Sequence, residues 1–446
     1  MRTFNIDSQS GVASDPLALK INKIELTNYQ GKTTDINAVV GQFSIVESIY
    51  SPTLMLEIGI KESSNLMENF PIIGQEIITV TAKRTNLGEE EENEIELRFF
   101  VTEVPAYSRG NNRTEQVYII KGISEHAYNS KFLKISRSYR EPAGREIEKI
   151  LIEDLKFNPD NFISDKTDIS KSKGIINTQE PLSAIEFFRQ TAYDNKGTPF
   201  FVFQRLDGNI YFTSLSTLTS KAENEPIRKY YLDKDNTKAP GTPAEYRQKL
   251  GRILSISSEL NLSKIKQAIN GAFASESNFL DWSTKTFGKR VFDFNADIDL
   301  ETTLEGNTIF SKNISVNNLP LNKLSKARVE YLATNASAFS GFNNYGSTVV
   351  SNRYRSNAYY SLMETHTHDI RIPGDLRLGA GNKITIKFPR GGNPEASGET
   401  TFVDEYLSGD FIVTSCSHVL DDGKYYCDLR VKRDSFPIDL ETEENI

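Results

Sequence analysis

Four histidines and two cysteines are the side chains on which nucleophilic, acid–base or metal chemistry would have to be built in this 446-residue chain. Two of the histidines stand together in Glu364-Thr365-His366-Thr367-His368-Asp369. Alternate residues of a strand share a face, so His366 and His368 would project to one side with Glu364 beside them. That could seed a metal site. No further ligand stands at useful spacing, however, and half-exposed histidines are common on strands. Cys416 and His418 are neighbours on a strand face in the same way. A nucleophilic thiol needs a base that is itself held by a third group, and none is evident. His126 lies in no recognisable motif, and no Gly-x-Ser-x-Gly occurs. The 60 acidic residues make coincidental carboxylate pairs inevitable and single out none. Gly379-Ala380-Gly381 and Gly391-Gly392 read as turn glycines, not as a phosphate cradle between strand and helix. The expectation is a protein with no catalytic residues, no cofactor or cofactor-binding residues and no metal ligands. It is not read as an enzyme.

Cys416 and Cys427 lie on opposite arms of a hairpin that turns at Asp422-Gly423. The register of such a hairpin makes them diagonal neighbours on one face, which favours free thiols over a bridge. Two cysteines cannot build a disulfide framework. Lys and Arg number 52 against 60 Asp and Glu, a net charge of −8 that argues against a surface for neutralising phosphates. Mean hydropathy is −0.44, and no run approaches the roughly 20 apolar residues of a spanning helix. Met1 to Pro16 has no apolar stretch to serve as a secretory signal. The product is expected to stay where it is made or to travel inside a particle.

The elements that would position these residues are mostly strands. Ile77–Thr81, Phe99–Thr102, Val117–Ile120, Ile384–Phe388 and Phe411–Thr414 are short runs rich in β-branched and aromatic residues. Asp207-Gly208 and Asp422-Gly423 each separate two such runs, a strong hairpin signal. Two helices interrupt the pattern. One spans about 142–156, with Ile147, Ile150, Leu151 and Leu155 at helical spacing; the other begins at Pro181 and stops near Asn195-Lys196-Gly197. Both lie between 126 and 199, an α/β insertion in a β-rich host. Lys234–Pro243 reads as a boundary or long loop, Glu89–Glu94 as a strand-connection tip, and Thr334–Arg355 as a surface excursion.

An internal repeat organises the rest. Gly74-Gln75-Glu76-Ile77-Ile78-Thr79-Val80 is similar to Gly381-Asn382-Lys383-Ile384-Thr385-Ile386-Lys387. Phe100-Val101-Thr102 and a strand from Val117 follow the first copy; Ile412-Val413-Thr414 and a strand from Tyr425 follow the second. A true duplication would place two related β modules in tandem.

Three stretches resemble the baseplate hub family of contractile-tailed phages. The first is Gln42–Pro52, continuing through Glu62-Ser63-Ser64 into Phe70-Pro71-Ile72-Ile73-Gly74-Gln75-Glu76. The second is Glu180–Phe188 with the hairpin Phe200–Leu215, and the third is Ile372–Gly381 with the closing hairpin to Ser435. The last is also similar to late-control tail proteins and to the hub part of type VI secretion spikes. The resemblance implies a mainly β fold with an α/β insertion: two tandem tube-type β-barrel domains plus inserted peripheral domains. The expected layout is a first barrel from 1–125 with 200–235, an insertion over 126–199, and a second barrel from 244–330 with 361–435. Residues 331–360 would be a flexible loop or insertion and 436–446 a tail. The implied role is a structural subunit of the virion, assembled in the host cytoplasm. It would form a homotrimeric, pseudo-sixfold symmetry adaptor between the hexameric tail tube and the trimeric central spike. Baseplate wedge and tape-measure proteins would be further partners. DNA would pass through the channel without specific binding, and no membrane would be involved. The alternatives from other classes are a receptor-binding or lectin-like tail protein and a cell-wall hydrolase component.

Overall fold

Alternation explains how the long strands are laid down. Ser51–Glu62 buries Leu54, Leu56, Ile58 and Ile60, every second position, while Met55 and Glu57 face outward. Gln116–Ser124 buries Tyr118 and Ile120 with the same period. A slip of one residue would turn these side chains to water, so the core fixes the register. The computed structural model describes residues 20–438 apart from 84–93, 110–113, 168–173, 233–249, 283, 308–309, 311–314, 335–344, 391–402 and 422. The expectations for Met1–Pro16, Pro240–Pro243, Gly391-Gly392 and most of the acidic run Glu89–Glu94 lie outside the described residues.

A 13-stranded sheet carries the molecule. Twelve of its strands form two sets in the same order. In the first, Val40–Ser48 pairs with Ser51–Glu62, then follow Gln116–Ser124, Glu94–Arg109, Ile77–Lys83 and Lys20–Thr27. In the second, Ser255–Leu260 pairs with His366–Pro373, then follow Lys424–Arg433, Gly409–Asp421, Lys383–Lys387 and Lys229–Tyr231. Every neighbour is antiparallel except the last, where Lys229–Tyr231 runs parallel to Lys383–Lys387. The repeat seen in the sequence is thus a repeat of topology. Val40–Ser48 also pairs with Gly409–Asp421, from Ser48 opposite Ser415 to Gln42 opposite Asp421. That seam fuses the two modules edge to edge. One apolar core runs under both, from Ile24 and Phe99 to Ile384 and Val431. Among the described residues no pairing closes either module into a barrel.

Two insertions leave this sheet. Residues 125–228 hold the expected helices, Ala143–Lys149 (extended by a π-helical turn, Ile150–Asp154) and Pro181–Thr191. Ile147, Ile150, Leu151, Ile185 and Phe188 form their shared core. Phe200–Gln204 pairs with Ile210–Ser214, which pairs with Phe162–Ser164. This corrects the expectation that 200–235 returns to the first module: Phe200–Ser214 belongs to the insertion, and Lys229–Tyr231 pairs in the second module. Phe200–Gln204 is apolar throughout because it is buried on both faces, with Phe200 and Val202 in one core and Phe201 and Phe203 in another.

The second insertion, residues 261–365, stands where the first module has only the tight turn at Ile49-Tyr50. Ala274–Asp281 pairs antiparallel with Thr286–Asp293 and parallel with Val329–Thr334. Among the described residues of 244–330, Ser255–Leu260 is the strand that joins the second module's sheet, with Arg252 bridging to Tyr231. Residues 331–360 are not a flexible loop over their described part: they end the Val329–Thr334 strand and enter a helix, Tyr345–Met363. Its Asn-, Ser- and Gly-rich surroundings hid it, yet Tyr354, Ala358, Tyr359 and Leu362 are buried. Phe436, expected in the tail, is buried in the same core.

Candidate functional site

The seam brings together the chain's most reactive side chains. Strand pairing places Cys416 opposite Glu47 and His418 opposite Cys427. Alternation then turns Glu47, Cys416, His418, Tyr425 and Cys427 to one face, toward the core. All five are at most 2% exposed. His418 Nε2 lies 3.0 Å from Glu47 Oε1 and 3.2 Å from Cys416 Sγ. Its Nδ1 lies 2.7 Å from Tyr425 Oη and 3.5 Å from Cys427 Sγ. Both cysteines are free thiols, diagonal across the hairpin as expected. Gly379 makes the pocket possible: a Cβ there would stand 2.6 Å from Glu47 Oε1 and 3.0 Å from Arg205 Nε.

Burial alone would push the His418 imidazole down, but the Cys427 sulfur and the Glu47 carboxylate hold it up at about 10. Burial raises the Cys427 thiol, and the Cys416 hydrogen bond with the His418 charge outweighs it, leaving Cys427 well below the usual thiol range. Burial and the Cys427 charge push Cys416 well above that range. In the metal-free cluster the Cys427 thiol is thus biased toward its thiolate and His418 toward its imidazolium, both closed off from water. The cluster has the charges of a nucleophilic centre and no access for a substrate.

The other residues weighed in the sequence do not assemble. His366 and His368 share a strand but are buried, not half-exposed. They pack against Tyr406, Phe436, Phe388 and Phe411. Among the described residues neither ring nitrogen of His366 has a hydrogen-bond partner, while His368 Nδ1 meets Ser258 Oγ at 2.8 Å. His126 is buried, its Nε2 2.7 Å from the Pro52 carbonyl. A cleft of about 940 Å³ is lined by Asp194, Ser214 and Ser216 among others, with no histidine or cysteine among its described lining residues. Asp194 is occupied there, accepting from the backbone and hydroxyl of Thr198 and from Ser216 Oγ. Glu47 escaped the sequence reading because only the seam brings it near Cys416. Cys-x-His on one arm and a cysteine on the other was the legible part of the signal.

Two strand edges remain unmatched. Glu94–Arg109 pairs with Ile77–Lys83 only as far as Phe100, so its edge over 103–109 has no partner among the described residues. Among the described residues Ser255–Leu260 pairs only with His366–Pro373. Glu103, Tyr107, Ser108, Ser257 and Glu259 are exposed along these edges. In the sister module the equivalents of both edges meet in the seam.

No family model and no curated protein matches the sequence. Solved structures do match the fold. A tail protein from Neisseria meningitidis MC58 aligns with TM-score 0.52 at 10% identity, covering 92% of this chain and 96% of that one. The 43 kDa tail protein of prophage MuSo2 from Shewanella oneidensis aligns with TM-score 0.52 at 9% identity, covering 93% and 98%. The chain has the fold of phage tail proteins. A component of the Escherichia coli type VI secretion system aligns more loosely, with TM-score 0.44 at 11% identity over 94% of this chain and 77% of that one. Among the described residues no helix is long and apolar enough to cross a membrane.

Proposed function

We propose that the chain is a structural baseplate hub subunit of a phage tail, a virion protein without enzymatic activity. Three copies form a ring of six modules, a symmetry adaptor between a sixfold tail tube and a threefold central spike. The observation that carries this reading is the seam together with the two unmatched edges. Matching strand pairs between modules sets Phe100 on Ile412 and Phe43 on Ile256. Across an extra bulge between Glu103 and Ala106, seam residues 417–420 then correspond to 106–109, and 42–47 to 255–260. Repeating the seam between chains lays Ser255–Leu260 of one copy antiparallel on 104–109 of the next, with Ser257 opposite Ser108. Free edges of this kind otherwise invite uncontrolled pairing, and a head-to-tail contact that closes at three removes every one.

The likeness of fold to two phage tail proteins supports the reading. The net charge of −8 suits a channel through which DNA passes without being held. Tail tube, spike, wedge and tape-measure proteins are the partners of this ring, and residues 125–228 sit at its periphery, away from the axis. The test is a cross-link. The Ser108→Cys, Ser257→Cys double variant, mildly oxidised, is expected to give covalent dimers and closed trimers, whereas each single variant gives neither. Absence of cross-links, or a ladder continuing past the trimer, would overturn the proposal.

A further inference from the structure

We infer that Cys416, His418, Cys427 and Glu47 are the ligands of a structural zinc ion that pins the seam between the two modules. The donor set is two thiols, an imidazole and a carboxylate, which is zinc chemistry and a poor match to hard, oxygen-seeking cations. The donor atoms of Cys416, His418 and Cys427 all lie within 4.8 Å of one another. Glu47 Oε1 and Cys416 Sγ stand 3.0 and 3.2 Å from His418 Nε2. Zinc bonds of about 2.0–2.3 Å in a tetrahedron give ligand-to-ligand edges of roughly 3.3–3.8 Å. The two edges at Nε2 need to open by only a few tenths of an ångström.

Two further features are those of a built site. His418 Nδ1 lies 2.7 Å from Tyr425 Oη and 3.5 Å from Cys427 Sγ, and Nε2 is the nitrogen turned to Glu47 and Cys416. An outer hydrogen bond of this kind sets ring orientation and tautomer in metal-bound histidines. Tyr425 is itself held by the bare backbone of Gly374, where a Cβ would lie 2.1 Å from its ring. In addition, Glu47 is only 1% exposed, and its Oε2 has no hydrogen-bond partner among the described residues. A carboxylate so enclosed gains from a cation. All four ligands are closed off from water, the mark of a structural rather than a catalytic zinc site. Three come from the second module and one from the first, so the ion would bridge the junction. This inference rests on the seam alone and stands whether or not the ring reading does.

The test uses the full chain, purified with a reductant and without chelator. About one zinc per chain is expected by elemental analysis, released together with two titratable thiols on unfolding in guanidinium. Exchange for Co²⁺ should give a sulfur-to-cobalt charge-transfer band. Cys427→Ser and Glu47→Gln should lose the metal. Wild-type protein without stoichiometric zinc and without the cobalt band would overturn the inference, as would full zinc in the Cys427→Ser protein. Unreduced protein that shows no free thiols and no metal would instead reveal a Cys416–Cys427 disulfide and equally overturn it. If the variants do not fold, the wild-type zinc content and cobalt spectrum decide the matter alone.

Discussion

Replacing Glu76 by alanine should loosen the entry to the first module. Glu76 is fully buried, and its carboxylate accepts from the backbone N–H of Ile73 (2.7 Å), Gly74 (2.8 Å) and Gln75 (3.1 Å). Those donors converge because Gly74 takes a left-handed φ of 86°, which glycine adopts without strain. Hydrogen bonds to a charged group contribute roughly 1.5–3 kcal/mol each when buried. Ile73 and Gln75 are exposed, so water takes over part of their bonding once the carboxylate is gone. The summed loss is therefore nearer one and a half bonds than three, about 3 kcal/mol. For an m-value near 3 kcal/mol/M, that moves a urea midpoint down by roughly 1 M. Glu76→Gln retains one acceptor oxygen and should cost about half as much. A Glu76→Ala midpoint within about 0.2 M of wild type would refute the reasoning. So would equal losses in the two variants, because the carboxylate's acceptors would then not be what matters.

The remaining expectations concern the core and its titrating groups. Gly374→Ala should cost roughly 2–3 kcal/mol and lower Tm, because the new Cβ would overlap the Tyr425 ring; an unchanged Tm would show that the ring moves freely. Burial pushes His126 and His368 down to about 4 and His366 to about 3. Their folded values lie below the unfolded one, so the stability they carry is present above about pH 6.5 and is lost as the pH falls toward 4. Each costs about 2 kcal/mol at pH 5. Burial raises Asp434 to about 6, which works the other way over the same window and returns about 1.4 kcal/mol. A net loss of about 3 kcal/mol or more between pH 7 and pH 5 is expected from urea titrations, and equal midpoints would contradict it.

Much of the fold was legible because local chemistry and global pairing agree. The segment Phe70-Pro71-Ile72-Ile73-Gly74-Gln75-Glu76 stood out before any contact was known. The structure gives its reason: a glycine-hinged turn capped by the glutamate that precedes the strand. Glu62-Ser63-Ser64 has a matching one, since Glu62 accepts from the Ser64 backbone and hydroxyl (2.6 and 2.9 Å) and from Leu66 N (3.1 Å). The repeated motifs at Gly74 and Gly381 led correctly to two modules with one strand order. What stayed hidden depends on distant pairing. Phe200–Gln204 carries no alternation to say which sheet it joins. Tyr345–Met363 is a helix whose polar, serine-rich sequence lacks a clean apolar stripe. Glu47 and Cys416 look unrelated until the seam sets them side by side.

The ring itself is tested most directly by the native mass of the purified chain. Three times the 50.3 kDa subunit, stable on dilution, is the expected result, since permanent assemblies bury more than roughly 2,000 Å² per interface. A monomer or a dimer at the same concentration would contradict the head-to-tail pairing of Ser255–Leu260 with 104–109, and with it the hub.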